Sequence, residues 1–200
     1  MKTNIKTGGV SLMATRTRKL FLIVATCAFM ASQTLAQEPT FNQGDNVVSL
    51  GVGIGGTLYS GYGYLGRDFS RLPTFSLAYE RCIIGNLFND KSSLGVGGLV
   101  GYTTAKYWGW RSTDLMIGVR GALHYAFVDK LDTYAGAMFG YNINSWKWDG
   151  KGSEIHISGS SGLAYAVFAG GRYYLADAFA AFAEVGYGYT IINVGISLKF

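Results

Sequence analysis

Beyond residue 36 this chain alternates. Apolar residues exchange with small or polar ones at period two, the spacing of an extended strand with two unlike faces, and no stretch repeats at helical period. Eight such runs are legible, at about 46–58, 73–83, 93–105, 113–127, 132–146, 162–174, 178–188 and 190–200. In "NVVSLGVGIGGTL", Val48, Leu50, Val52 and Ile54 oppose Ser49, Gly51, Gly53 and Gly55. In "DLMIGVRGALHYAF", Leu115, Ile117, Val119 and Leu123 oppose Gly118, Arg120, Ala122 and His124. The chain ends the same way: in "NVGISLKF", Val194, Ile196, Leu198 and Phe200 share one face of the last strand.

The non-apolar face decides the environment. A sheet facing bulk water would carry Lys, Glu, Thr and Gln, whereas this face is mostly Gly, Ala and Ser with one or two charges per strand. Small residues with a few large polar ones describe a crowded interior, so the continuous apolar and aromatic face must point outward, to lipid. Hydrocarbon tolerates no unpaired sheet edge, and spanning strands therefore close into a barrel. Even strand number, runs of about ten residues and apolar-out alternation predict an all-β, eight-stranded, antiparallel up-and-down transmembrane β-barrel over 46–200. The last strand is expected to close against the first.

Charge and targeting refine that picture. Lys2, Lys6, Arg16, Arg18 and Lys19 precede the apolar block "LFLIVATCAFMA", and "SQTLAQ" follows with small residues at Thr34 and Ala36. This order marks residues 1–36 as a cleavable signal peptide, with Met1 or Met13 as the start; the block is short for a membrane-anchoring helix. Residues 37–45 are expected to form a short periplasmic N-terminal segment. The signal holds five of the seventeen Lys and Arg and no acid, which leaves twelve of each sign beyond it. The formal +5 of the whole chain is thus no argument for a nucleic-acid partner. Cys82 alone remains after the signal, so no internal disulfide or cysteine metal site is expected.

Connections after the second, fourth and sixth runs, "IGNLFNDKS", "VDKL" and "LAD", are mostly short. Those after the first, third and fifth, "YSGYGYLGRDFSRL", "KYWGWRS" and "KWDGKGSEIHISGSS", are longer and are expected to be extracellular. Tyr107, Trp108, Trp110, Tyr141, Trp146, Trp148, Tyr187 and Tyr189 are expected to form an outer aromatic rim at headgroup depth. Tyr79, Tyr125, Phe127, Tyr173, Phe179 and Phe200 would mark the inner rim.

With these features the chain resembles the small eight-stranded outer-membrane barrels of the OmpA and OmpX type of Gram-negative bacteria. The resemblance covers about 46–200 and rests on the C-terminal aromatic Phe200 with Leu198 and Ile196, and Val194 behind them. In that family the pattern is the assembly signal, so it implies handling by the barrel-assembly machinery and residence as an integral protein of the bacterial outer membrane. Outer-membrane lipid and lipopolysaccharide are the implied surroundings.

Candidate sites follow from parity. Glu80, Arg120, His124, Arg172, Glu184 and Lys199 fall on the lumen face and are expected to form a charge network, because buried charges must pair. Arg120 is expected to meet Glu184, and Glu80 to meet Arg172 or Lys199. His156 and Ser158 have the spacing of some lipid A deacylases, with Asp177 or Glu184 as the only later carboxylates, but they fall in an external loop. Lys106, Arg111, Lys147 and Lys151 near the outer rim are candidate contacts for lipopolysaccharide phosphates or plain solvated charges. "GVGIGG" at 51–56 precedes no helix and reads as no nucleotide loop, and no cofactor is implied. The expected function is non-enzymatic: a structural or surface-interaction role through extracellular loops and an unidentified loop ligand. The alternatives are a narrow pore for small solutes and, last, a lipid A-modifying enzyme.

Overall fold

A computed structural model describes residues 40–56, 69–107, 109–148, 156–159 and 161–200. The signal segment, Trp108 and Lys151 lie outside the described residues.

Ten strands follow in chain order: β1 (Asn46–Ile54), β2 (Phe69–Arg71), β3 (Thr74–Gly85), β4 (Ser92–Tyr107), β5 (Trp110–Val128), β6 (Leu131–Trp148), β7 (His156–Ser158), β8 (Gly162–Ala176), β9 (Phe179–Tyr187) and β10 (Ile192–Lys199). Eight of them form a closed ring, β1–β3–β4–β5–β6–β8–β9–β10 and back to β1, with every neighbour antiparallel. β2 and β7 are three-residue additions on β4 and β6. Closure runs from Val47 opposite Lys199 to Ile54 opposite Ile192, so the first and last strands leave each other no free edge.

Alternation sets the two faces. Val119, Leu163, Val185 and Phe200 are 65%, 73%, 61% and 71% exposed, while Arg172, Met116 and Ala164 on the other parity are almost wholly buried. A soluble fold would reverse this. The barrel wall is apolar outside and filled inside, and the surface that water would reject is what a bilayer accepts.

Both described termini lie at one end, here the inner end; the other is the loop end. At the inner end Asn86 and Lys130 turn the chain with φ of 54° and 64°. Bulges at Cys82/Ile84, Ala126/Val128 and Tyr174/Ala176 also cluster there. The loop end corrects one expectation. "KYWGWRS" is not a loop: β4 and β5 stay paired up to Tyr107 opposite Trp110. Just before β5, Gly109 takes φ 80°, a conformation that suits glycine. The strands on that side are correspondingly long, with 16, 19 and 18 residues in β4, β5 and β6, against 9, 9 and 8 in β1, β9 and β10.

Candidate functional site

The lumen is built in layers. At its inner mouth sits Phe41, 1% exposed, in a small apolar cluster with Val47 and Cys82. Residues 40–45, the described part of the segment 37–45 expected to be short and periplasmic, are tied to the barrel mouth. Gly44 N donates to Cys82 O, Cys82 N donates to Asp45 O, and the Asn46 amide donates to Phe200 O.

Above Phe41 lies a closed square of charges drawn from four strands. Glu80 of β3 accepts from His124 Nε2 at 2.9 Å and from Arg172. Asp132 of β6 accepts from His124 Nδ1 at 2.8 Å and from Arg172 Nη1 at 3.1 Å. Each carboxylate therefore bridges both cations. Ionised carboxylates only accept, so both imidazole nitrogens carry protons in this arrangement, and the square holds two charges of each sign. Aromatic rings close it on both sides: Phe41 lies 4.4 Å from the His124 ring, and the Arg172 guanidinium sits 4.8 Å over Tyr134. Every charge in the square is neutralised by two partners, which is how ionic groups survive in a dry interior.

One layer higher Arg120 of β5 donates to Glu184 of β9 at 2.8 Å, across the lumen. Tyr134 also donates to Glu184, at 3.0 Å, and Arg120 stacks 4.2 Å over Phe168. Next comes an apolar layer of Leu99, Met116, Met138 and Tyr189 with alanines between them. Gly101 makes room for Tyr189; a Cβ there would run into the phenol ring. A polar layer follows, where Asn142 and Asn144 donate to Asp114 at 3.1 and 2.7 Å. The cavity lined by Leu99, Arg120, Met138 and Glu184 holds about 20 Å³, room for one water.

Five of the six expected lumen charges meet in these layers. Lys199 does not: from the end of β10 its ammonium reaches Thr40 O at 3.2 Å and Asp45 at 3.7 Å, and lies 4.9 Å over Tyr174. It ties the N-terminal segment to the closing strand. Asp132, Tyr134 and Phe41 were missed. Asp132 opens the fifth run and shares the parity of Tyr134 and Met138, but it was not counted among the lumen charges. Phe41 stands alone in a polar stretch that carries no alternation.

The outer aromatic rim divides. Tyr141 and Tyr187 point outward, 46% and 53% exposed. Tyr189 is 5% exposed inside the lumen. Trp110, Trp146 and Trp148 share parity with Ser112 and Asn144, so they line the inner face of the long strands, not the lipid side, and Trp110 packs edge-on against Trp148 at 5.2 Å. Tyr107 ends β4, its backbone opposite Trp110. Val194, Ile196 and Leu198 face outward at the seam. His156 and Ser158 lie in β7 at the loop end, opposite Lys147 and Ser145. Asp177 sits in an inner turn and Glu184 is engaged with Arg120, so neither completes a triad with them.

A closed eight-stranded ring with a lipid-compatible exterior and a packed ionic lumen is now in view. The fold is that of the small outer-membrane barrels of the OmpA and OmpX type. Barrels of this architecture are found in bacterial outer membranes. No known family model matches the sequence, and no curated protein matches it. Among solved structures, it is similar to the attachment invasion locus protein Ail of Yersinia pestis, at 18% identity over 79% of this chain and 99% of that one, with a TM-score of 0.45. The outer membrane protein OprG of Pseudomonas aeruginosa matches at 12% identity over 82% and 99%, TM-score 0.45. A de novo designed transmembrane β-barrel matches at 16% over 83% and 100%, TM-score 0.46.

Proposed function

We propose that this outer-membrane barrel is a non-conducting, non-enzymatic scaffold that acts at the cell surface through its loop end. The observation that carries this reading is the charge square of Glu80, His124, Asp132 and Arg172, stacked under the Arg120–Glu184 pair and an apolar layer. A pore needs a continuous water path, and each of these layers spans the lumen. The loop end is assigned to the outside because it carries the longest connections, those after β1 and β6, whereas the inner turns after β5 and β8 are two residues each. Assembly is assigned to the seam strand β10 and the residue that follows it, where Val194, Ile196, Leu198 and Phe200 would be read by the barrel-assembly machinery.

Reconstitution into planar bilayers tests the scaffold reading. The wild-type barrel is expected to give no steady conductance. A large steady conductance that Glu184→Gln barely alters would overturn it in favour of the narrow pore. Orientation is checked on whole cells with a membrane-impermeant maleimide and the variant Thr113→Cys, since Cys82 is buried. Labelling places the loop end outside; protection until the cells are opened reverses the assignment.

A further inference from the structure

The inner face of the tall strands carries an acid that the lumen charges do not neutralise. Asp114 of β5 is 8% exposed and is the next inward residue above Met116 of the apolar layer. Among the described residues no Lys, Arg or His pairs with it. Arg120, the next cation down β5 on this face, is engaged with Glu184 on the far side of the apolar layer. The basic residues nearer the loop end take the outward parity. There Thr104, Thr113 and Ser145 form a hydroxyl row, and Lys106, Arg111 and Lys147 are in register beyond it.

Neutral amides hold Asp114 instead. Asn142 Nδ2 and Asn144 Nδ2 donate to its Oδ1 at 3.1 and 2.7 Å, and Asn144 Nδ2 also donates to Ser112 Oγ at 2.9 Å. Thr103, opposite Asp114 on β4, gives its hydroxyl proton to Leu72 O at 3.0 Å. Two acceptors are left over. Among the described residues no donor reaches Asp114 Oδ2. Asn142 Oδ1, on a side chain 8% exposed, is buried without a partner. It belongs to the amide that donates to Asp114, so it stands next to the carboxylate.

The open groups select the ligand. A carboxylate and an amide oxygen only accept, so the missing group is a donor. A buried charge calls for a counter-charge, which excludes an anion and leaves a sugar hydroxyl insufficient. Calcium takes about six to eight oxygens, whereas this layer offers one carboxylate and one open amide oxygen. A single positive charge with several N–H donors fits that set.

Shape narrows it further. Above Asp114 the inner parity of β5 and β6 carries Ser112 and Trp146, then Trp110 and Trp148, whose rings meet edge-on at 5.2 Å. Asp114 therefore lies roughly 10 Å below that pair along the barrel axis, after strand tilt. A group that reaches so enclosed an acid comes end-on, on a slender stem. Ammonium groups on alkyl stems lay their methylenes along apolar surface in this way.

We infer that Asp114 and Asn142 form a binding site for a primary ammonium group on an unbranched alkyl stem, as in a polyamine or a lysine side chain. The ammonium donates to Asp114 Oδ2 and Asn142 Oδ1, and its stem runs up past Ser112 towards Trp110 and Trp148. The inference extends the surface reading of the loop end, but binding is measured without cells or conductance, so the two fail separately.

The four tryptophans of the chain, at 108, 110, 146 and 148, report binding through their fluorescence in the folded full-length barrel in zwitterionic detergent. Cadaverine stands for a free polyamine, lysine blocked at both backbone ends stands for a protein side chain, and 1-pentanol is the neutral control. Each amine is expected to give a saturable change, and the tighter of the two names the source. Asp114→Asn is expected to weaken both at least tenfold, whereas Asp177→Asn, which removes an acid from an inner turn, should leave them unchanged. If Asp114→Asn folds poorly, the wild-type protein decides alone: the amines should bind, 1-pentanol should not, and equimolar sodium chloride should not displace them. Equal affinity in Asp114→Asn, an equal loss in Asp177→Asn, or binding of 1-pentanol as tight as cadaverine would overturn the site. Displacement by equimolar sodium chloride would overturn the ammonium in favour of a metal ion. No saturable change with either amine would overturn the proposal and leave a lumen water as the partner of Asn142.

Discussion

The two sides of this barrel obey one rule of alternation and reach different heights. β9, β10 and β1 are 9, 8 and 9 residues long, about 30 Å each before tilt, which suits an apolar band of about 25 Å and little more. β4, β5 and β6 run to 16, 19 and 18 residues and rise well beyond it. On the short side the outward face is apolar above Asn46, as at Leu50, Val52, Val194 and Val185. On the tall side the same face changes from apolar to hydroxyl to basic, while the inner face gains Trp110 and Trp148. Strand parity decides which way a side chain points. Height decides what it meets there.

Among the described residues, the ion pairs that reach across the lumen lie in its lower half. Arg120 on β5 reaches Glu184 on β9, and the square links β5 and β6 to β3 and β8. The largest expected loss of stability is therefore Arg172→Gln, which leaves Glu80 and Asp132 with one cation between them. It should cost about 3–5 kcal/mol in a urea titration of vesicle-embedded barrel. Glu184→Gln should fall in the same range, with Arg120→Gln in the same chain recovering part of the loss. A loss under about 1 kcal/mol in both would mean that the sides hold without the brace.

Height within the tall side is tested next. Val119→Arg, in the middle of the belt, should cost about 2–4 kcal/mol, while Thr113→Arg, in the hydroxyl row, should cost near zero. Equal costs would dissolve the distinction between belt and extension.

A smaller contrast sets seam against extension. Ser197→Ala removes the buried 2.8 Å hydrogen bond to Ser49 and should cost about 1 kcal/mol. Trp110→Ala at the top of the tall side loses its edge contact with Trp148 and should cost about 0.5–1.5 kcal/mol, with no change in lumen conductance. The smallest equilibrium effect belongs to Phe200→Ser, below about 1 kcal/mol, because the ring is 71% exposed. Its effect on assembly is expected to be the reverse of small. The amount of barrel recovered from outer membranes should drop severalfold, and unchanged recovery would remove Phe200 from the assembly signal.

How much of this was legible in the sequence depends on which residues alternate. Strand number, antiparallel order, the seam and the meeting of Arg120 with Glu184 all follow from period two, because a one-residue slip would turn Val119 inward and Arg120 into lipid. The extension of β4 to Tyr107 and β5 back to Trp110 did not follow. Above the belt, outward Thr104 and Lys106 look like loop residues, so alternation by hydropathy stops while the strand continues. The three tryptophans were misplaced by treating aromatic character as sufficient, although Trp146 and Trp148 share the parity of Asn142 and Asn144. Phe41 could not be read at all. Its burial depends on Cys82, His124 and Arg172, which only the closed ring brings together.

That dependence gives the molecule an order in time. Phe41 stacks against residues from β5 and β8 and clusters with one from β3, so its pocket does not exist while the sheet is open. The inner mouth is expected to be stoppered only once the sheet from β3 to β8 has curled round, so the accessibility of residue 41 would report that curling: exposed on a flat sheet, hidden in the finished barrel.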